Sequence, residues 1–235
     1  DKQQKEGIRL LYITPLRALS RDLTLAIREP IDSMGWPIRV AARNGDTTST
    51  ERTKQLKNPP QILVTTPESL SVLLGNPKAI NLFANLESVI LDEWHELIGS
   101  KRGTQTELAL SWLRMNNRQL QTWALSATIG NPVQASEHAL GVKTKKILIN
   151  CAPKRSISIK SIIPDSINGF PWSGHLGLRR YEDLIAVLDV RKSTLLFTNT
   201  RNQSERWHQC LRFACPAMEG ALALHHSAID RRKRE

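Results

Sequence analysis

A chain of 235 residues with 40% hydrophobic residues is long enough to bury a sizeable core, as one large domain or as two small ones. No stretch approaches the roughly 18 consecutive apolar residues of a membrane span, and three scattered cysteines do not make a disulfide framework or a zinc site, so we expect a cytoplasmic protein. The net charge of +11 predicts a polyanionic partner, with a merely basic surface as the alternative.

The first half of the chain alternates short apolar segments with segments of helical periodicity. Residues 7–14 are rich in strand formers, and apolar residues then recur at helical spacing over residues 16–29. The pattern repeats, with strands predicted at residues 38–42 and 61–65 and a helix whose start at Thr48 fits a capping box. This βαβ rhythm predicts an α/β fold with a doubly wound parallel sheet.

The strand predicted at residues 88–91 is followed by Asp92 and Glu93 and, two positions later, by His95. A short run of Val, Ile and Leu is typical of a strand buried on both faces, and the ligand chemistry of parallel sheets lies just beyond the carboxyl ends of the strands. Carboxylates there can hold a hydrated Mg²⁺ or accept a proton from an attacking water, which is the chemistry of nucleotide hydrolysis. A chance match in a loop is the alternative.

Two further loops offer groups that suit this chemistry. Thr14 and Arg17 flank the start of the first helix, where a hydroxyl, free backbone amides and a guanidinium make a phosphate contact plausible, although a plain strand-to-helix junction would look the same. After the strand predicted at residues 121–125, Ser126 and Thr128 are placed to hydrogen-bond the neighbouring carboxylates.

The order and spacing of these segments resemble motifs Ia, Ib, II and III of superfamily two DExH-box helicases. The matching segments are Thr14–Leu19, Thr66–Glu68, Asp92–His95 and Ser126–Thr128. Finer details resemble the large-helicase-related group and, within it, the bacterial ligase-associated DExH-box DNA helicases; they lie at residues 45–47, 101–103, 170–175 and 224–227. The resemblance covers nearly the whole chain and implies RecA-like motor domains.

The resemblance also assigns roles in ATP hydrolysis. Asp92 would hold Mg²⁺ against the β and γ phosphates of ATP, and Glu93 would orient and deprotonate the attacking water. His95, Ser126 and Thr128 would form a relay between the state of the nucleotide and strand separation. Trp94 departs from the pattern, since such helicases more often carry a smaller residue at this position.

Loop ends that follow the strands would form the nucleic-acid surface. Hydroxyls and helix N-termini bind phosphate oxygens and read no base, so the expected partner is single-stranded or partly duplex DNA of any sequence, with RNA as an alternative. The candidate residues are Thr14, Pro15, Arg17, Gly45, Asp46, Thr47, Thr66, Pro67, Arg102, Gly103, Thr198, Asn199, Thr200, His226 and Ser227.

The chain is expected to divide into three parts. Residues 1–150 would form the first RecA-like domain, residues 151–190 a junction, and residues 191–235 the start of a second RecA-like domain. An exposed strand is predicted at residues 156–163, a buried strand at residues 193–197 and a further strand at residues 221–227.

Two family motifs are absent from these 235 residues: the phosphate-binding Gly-x-x-x-x-Gly-Lys-Ser/Thr loop and the glutamine-arginine motif that supplies an arginine finger. We therefore expect an internal fragment of a longer ATP-dependent helicase acting in DNA repair, nearly inactive by itself, with a ligase and a nuclease as partners by subfamily resemblance. The alternatives are a non-catalytic nucleic-acid-binding module and, with less support, a metal-dependent phosphoesterase, for which a second carboxylate cluster is missing.

Overall fold

The computed structural model describes residues 7–142, 144–151, 156–163, 177–189 and 191–226. Contacts divide the chain into two compact units, Asp1–Ala152 and Pro153–Glu235. Each unit is considered separately below. Within the described ranges, no helix is both long enough and apolar enough to cross a bilayer.

The first unit is built on a five-stranded parallel sheet with the order β2-β3-β1-β4-β5. Its strands are β1 (Leu10–Ile13), β2 (Val40–Arg43), β3 (Ile62–Thr65), β4 (Ser88–Leu91) and β5 (Gln121–Ala124). Because all the strands run the same way, their carboxyl ends meet at one edge of the sheet. The predicted RecA-like, doubly wound parallel sheet is confirmed in this unit.

Helices connect the strands and cover the sheet. They are α1 (Arg17–Ser33), α2 (Ser49–Lys57), α3 (Pro67–Leu74), α4 (Ala79–Phe83), α5 (Trp94–Leu97), α6 (Lys101–Asn116) and α7 (Pro132–Leu140). The capping box predicted at Thr48 is formed, since its hydroxyl accepts a hydrogen bond from the Glu51 amide at 3.2 Å. Helix α1 continues past its predicted end at Glu29 to Ser33, with Pro30 in its last turn. The Pro30 carbonyl accepts a hydrogen bond from the Met34 amide at 3.0 Å, so the helical pattern persists beyond the proline.

One face of the sheet is fully buried along its central strands, β3, β1 and β4. Leu11, Val89 and Leu91 are completely inaccessible and share a core cluster with Leu70 of α3 and Leu110 of α6. Burying each such side chain contributes about 1.5–3 kcal/mol, so this face supplies much of the stability that holds the strand ends in place.

The opposite face is less completely covered towards β5. Tyr12, Ile90 and Trp123 are adjacent in register across β1, β4 and β5. Tyr12 and Ile90 are half-buried, whereas Trp123 keeps 54% of its surface exposed. Strand β5 is therefore an edge strand with an exposed aromatic side chain.

The second unit is helical in its described part. It contains α8 (Tyr181–Val187) and α9 (Arg201–Ala214), with short 3₁₀ helices at Gly177–Arg180 and Pro216–Ala221. The strand predictions for this unit are wrong over the described residues: residues 156–163, 193–197 and 222–226 form no strand. Phe197, expected to be buried, is 86% exposed. A strand requires hydrogen-bonding neighbours, and no sheet is present in the described part of this unit.

Candidate functional site

Strand β4 ends in a strained turn that carries the two carboxylates. The Asp92 amide still donates to the Ile13 carbonyl at 2.8 Å, and one Asp92 carboxylate oxygen accepts from the Glu93 amide at 3.0 Å. Glu93 has φ 47° and ψ 47°, a left-handed conformation that costs a non-glycine residue about 1 kcal/mol. The turn therefore holds Glu93 at the carboxyl edge of the sheet in a strained backbone conformation.

This strain predicts an unusual order of stability at position 93. Glu93→Gly is expected to be about 1 kcal/mol more stable than Glu93→Ala, because only glycine adopts the left-handed region without cost. Chemical denaturation of the two variants measures the difference. Glu137, inside α7, is the matched control position, where alanine should be more stable than glycine by about 1 kcal/mol. The same order at both positions would contradict strain at Glu93.

His95 links the carboxylate turn to the loop after β5. Its Nδ1 lies 3.4 Å from a carboxylate oxygen of Glu93 and 3.2 Å from the Ser126 hydroxyl. A neutral imidazole can donate from Nδ1 to either oxygen or accept there from the serine, so one nitrogen is shared by two alternative partners. Thr128, predicted to act with Ser126, is exposed on the same loop, and the observed contact is made by Ser126.

The donors at this edge suit a magnesium ion. Asp92 and Glu93 provide carboxylate oxygens, and Ser126 adds a hydroxyl, which is the hard oxygen chemistry that Mg²⁺ prefers. Among the described residues there is no cluster of three or more His, Cys, Asp or Glu side chains that could cage a metal by itself. One or two carboxylates completed by waters and phosphates is the usual magnesium arrangement in nucleotide sites, so the residues fit.

Tyr12 was not singled out from the sequence, yet it lies beside this site. Burial, the charge and hydrogen bonding of Asp92, and the charge of Glu93 together raise the pKa of Tyr12 to about 12. The phenol therefore stays protonated and can donate to the Asp92 carboxylate. Its position on β1, one strand from β4, is the only sequence signal that could have indicated it.

Trp94 fills the position at which the sequence departs from the family pattern. Its side chain is 1% exposed, and its indole N–H donates to the Ala135 carbonyl in α7 at 3.0 Å. Its amide donates to the Leu125 carbonyl at 2.9 Å. The Trp94 side chain thus ties the carboxylate turn to α7, and its backbone amide ties the turn to the residue just before Ser126.

A second group of predicted residues lies at the ends of β1 and β2. The Arg17 guanidinium lies 3.4 Å from the Asp46 carboxylate, with both side chains largely exposed, and it lies over Gly45. Exposed ion pairs contribute little, so Arg17 can exchange Asp46 for a phosphate at small cost. A β-carbon at position 45 would come within 2.6 Å of the guanidinium carbon, so a larger residue there would displace the exposed end of Arg17.

Asn44, which the sequence did not indicate, organises this loop. Its side chain is 7% exposed, donates to the Ser20 hydroxyl at 2.7 Å and accepts from the Asp46 amide at 2.9 Å. Its own amide donates to the Thr47 hydroxyl at 3.0 Å. The Thr47 hydroxyl, predicted to contact nucleic acid, therefore already has a partner inside the loop.

Four of the residues predicted to contact nucleic acid are buried just after β1 and β3. Thr14 is 0% and Thr66 2% exposed, and Pro15 and Pro67 are also buried. Both threonines end strands whose neighbours on each side cover them, and this burial depends on sheet order, which local sequence does not reveal. The backbone of these loops, and not the hydroxyls, is what the edge can offer to a phosphate.

Arg102 and Gly103, also predicted to contact nucleic acid, have close neighbours within the protein. The Arg102 guanidinium donates to both carboxylate oxygens of Glu68 and to the Pro15 carbonyl. Burial raises the pKa of Glu68, but hydrogen bonds, chiefly from Arg102, more than offset this, so its pKa is lowered. Gly103 is buried in the first turn of α6, against the Leu97 carbonyl.

The predicted residues of the second unit surround the start of α9. The Thr200 hydroxyl caps this helix by accepting from the Gln203 amide at 3.2 Å, and Thr198 donates to the Thr200 carbonyl at 3.2 Å. Asn199 is exposed beside them. His226 lies 3.3 Å from the Glu205 carboxylate, whereas Ser227 lies outside the described residues, as does the 170–175 segment.

Comparison with known proteins agrees with this arrangement. The DEAD/DEAH box helicase family profile matches residues 2–136. The chain belongs to this family. It is 33% identical over 244 residues to the ATP-dependent helicase Lhr-Core of Methanocaldococcus jannaschii, a match that covers all of this chain and 28% of that protein. Lhr-Core protein 2 of Thermococcus barophilus is 32% identical, with 97% and 28% covered.

A solved helicase structure shows the same fold. The structure of the Mycobacterium smegmatis helicase Lhr bound to ssDNA and AMP-PNP superposes with a TM-score of 0.69 at 27% identity, covering 98% of this chain and 32% of that one. The resemblance to superfamily two helicases and the large-helicase-related group is thus confirmed. The chain spans less than a third of the length of these relatives. The closer assignment to ligase-associated enzymes stays a prediction.

Proposed function

We propose that this chain forms part of an ATP-driven motor that couples hydrolysis to movement along single-stranded DNA. The observation that supports this most directly is the position of His95 Nδ1 between Glu93 and Ser126. It connects the carboxylates proposed to act on ATP with a loop on the neighbouring strand. That connection is what a motor needs and what a simple binding module does not need.

In this proposal the carboxylate turn carries out the chemistry. Bound Mg²⁺ would neutralise charge on the phosphates, and Asp92 would hold it, aided by the phenol of Tyr12. Glu93 would orient the attacking water and take its proton. The left-handed backbone at Glu93 directs this carboxylate away from the strand axis, towards the open edge where His95 and Ser126 lie.

His95 would transmit the state of the nucleotide. When the Glu93 carboxylate engages water, His95 Nδ1 would be free to hydrogen-bond with the Ser126 hydroxyl. When Glu93 is disengaged from the water, Nδ1 would donate to the Glu93 carboxylate instead. Trp94 would then pass a change of the turn to α7, because it bonds to Ala135. Thr128 would act from the exposed part of the same loop.

The nucleic acid is proposed to follow the carboxyl edge of the sheet. Arg17 and the Gly45–Thr47 loop supply exposed groups there, while the loops after β1 and β3 supply backbone amides. In the second unit, Thr198–Thr200 and His226 are the proposed contacts. Such groups bind phosphate oxygens and not bases, so the affinity should depend strongly on salt concentration and little on base sequence.

The test is DNA-stimulated ATP hydrolysis by the whole protein, together with release of a labelled strand from a partial duplex. Oligothymidylate should stimulate hydrolysis, and strand release should require ATP; oligouridylate in parallel compares RNA with DNA. Binding of single strands with no ATP turnover would overturn the proposal in favour of a non-catalytic binding module. A role in DNA repair, with ligase and nuclease partners, is a further prediction that co-purification can test.

A further inference from the structure

Arg102 joins two loops that are distant in sequence. Its Nε and Nη2 both donate to the carboxylate of Glu68, the second of these at 3.3 Å, and Nη2 also donates to the Pro15 carbonyl. Glu68 lies 34 residues away and Pro15 lies 87 residues away. One guanidinium in α6 therefore holds both a side chain at the start of α3 and the main chain just before α1.

The two loops have few other side-chain ties at this edge. Helix α1 begins after Leu16 and helix α3 after Thr66, and neither residue caps its helix with a side-chain hydrogen bond. The Thr14 hydroxyl is buried and has no hydrogen-bond partner among the described residues. The two helix N-termini are thus left without side-chain caps. The Thr14 amide donates to the Thr65 carbonyl at 3.0 Å where the two strands end, and Arg102 adds the bonds that join the start of α3 to the main chain just before α1.

The strand order of the sheet determines which loops the Arg102 hydrogen bonds join. Strands β3, β1 and β4 are neighbours in that order, and the loop after β4 leads through α5 to Arg102. The guanidinium thus spans the ends of three adjacent strands. Because arginine binds a carboxylate in a fixed planar fork, it sets the direction as well as the distance of the groups it joins.

We propose that Arg102 is a positioning residue, which holds the N-termini of α1 and α3 at a fixed spacing along the nucleic acid through Glu68 and Pro15. This inference rests on the proposed function, since it needs a nucleic acid at this edge. It differs from the sequence prediction, in which Arg102 itself contacts a phosphate. It also assigns a role to Glu68, which the sequence prediction left without one.

The direction in which Glu68→Gln changes the affinity for nucleic acid distinguishes a direct-contact role of Arg102 from a positioning role. Glu68→Gln removes a negative charge from a surface proposed to bind a polyanion and releases Arg102, so a direct-contact role for Arg102 requires tighter binding. The positioning role requires weaker binding, by about 3- to 10-fold, because a hydrogen-bonded ion pair that fixes both loops is lost. Glu68 is about half exposed, so the variant should fold.

The experiment measures binding of a fluorescent oligothymidylate to the whole protein by anisotropy over a series of salt concentrations. Glu51→Gln is the matched control, because it removes another exposed carboxylate from the first turn of a helix at the same edge. Glutamine serves as well as glutamate at this position of a capping box, so α2 should be preserved. Affinity for the oligothymidylate should be unchanged or slightly increased. Arg102→Gln should weaken binding to a similar extent as Glu68→Gln, and the double variant should be no weaker than either single one.

The salt dependence gives a second criterion. A lost phosphate contact reduces the slope of log affinity against log salt by about 0.7 for a single strand, whereas a lost positioning residue lowers affinity with the slope unchanged. Tighter binding by Glu68→Gln, or a reduced slope for Arg102→Gln, overturns the positioning role while leaving the proposed function in place. Failure of the unsubstituted whole protein to bind overturns the proposed function and this inference together.

Discussion

Glu93→Gln is expected to lower ATP turnover by the whole protein about 100-fold or more, because a general base contributes roughly that factor and an amide cannot accept the proton of the attacking water. Glutamine has nearly the same shape, and it can still bond to His95 at the position 3.4 Å away. The backbone turn and the contact to Ser126 should therefore persist. The measurement is steady-state phosphate release with saturating oligothymidylate.

Two controls make the result specific. Glu96→Gln removes the other carboxylate beside His95, 3.6 Å from its Nε2, and should change turnover less than about 2-fold, because surface charges of this kind have small effects. Affinity of Glu93→Gln for single-stranded DNA should equal that of the unsubstituted protein, since Glu93 is not among the proposed contacts. Turnover that is unchanged by Glu93→Gln would contradict the assignment of this residue as the base.

Gly103→Ala is expected to destabilise the first unit by about 3 kcal/mol. A β-carbon at this position would lie 2.2 Å from the Leu97 carbonyl oxygen and 2.9 Å from its carbon. Both are backbone atoms, so the clash cannot be relieved by a side-chain rotation, and the end of α5 or the start of α6 must move. Thermal unfolding should show a midpoint lower by about 5–10 °C.

Gly130→Ala is the matched control for this substitution. Nothing lies within 4 Å of a β-carbon built at Gly130, so the midpoint should stay within about 2 °C of the original. The comparison also decides between two roles for Gly103. If its role were only to let nucleic acid approach, Gly103→Ala would keep the melting temperature and lose affinity for DNA. A large loss of stability supports close packing of α5 against α6 instead.

Much of the first unit could be predicted from local sequence patterns. The five strands were found because short apolar segments bounded by turn residues repeat with helical segments between them. The Asp92–Glu93 pair was found because charged residues directly after a buried strand have few structural explanations. Ser126 was predicted to hydrogen-bond these carboxylates, and in the structure its hydroxyl lies 3.2 Å from His95 Nδ1 instead.

The second unit illustrates where such patterns fail. Residues 193–197 have the composition of a buried strand, yet Leu195 is 81% and Phe197 86% exposed. Strand formation depends on neighbours that supply hydrogen bonds and cover the side chains. An apolar segment indicates that its side chains favour burial. Whether they are buried depends on neighbouring segments that are distant in sequence.

In the first unit, the sequence by itself determined the order of the strands and the residue types at the strand ends, since these follow from propensity, periodicity and capping over a few neighbouring positions. The tertiary structure alone decided which of those residues face solvent. Thr14 is buried because β1 is a central strand, and Arg102 is occupied because Glu68 and Pro15 are brought to it from 34 and 87 residues away. Burial and pairing arise between distant segments, and no local pattern encodes them.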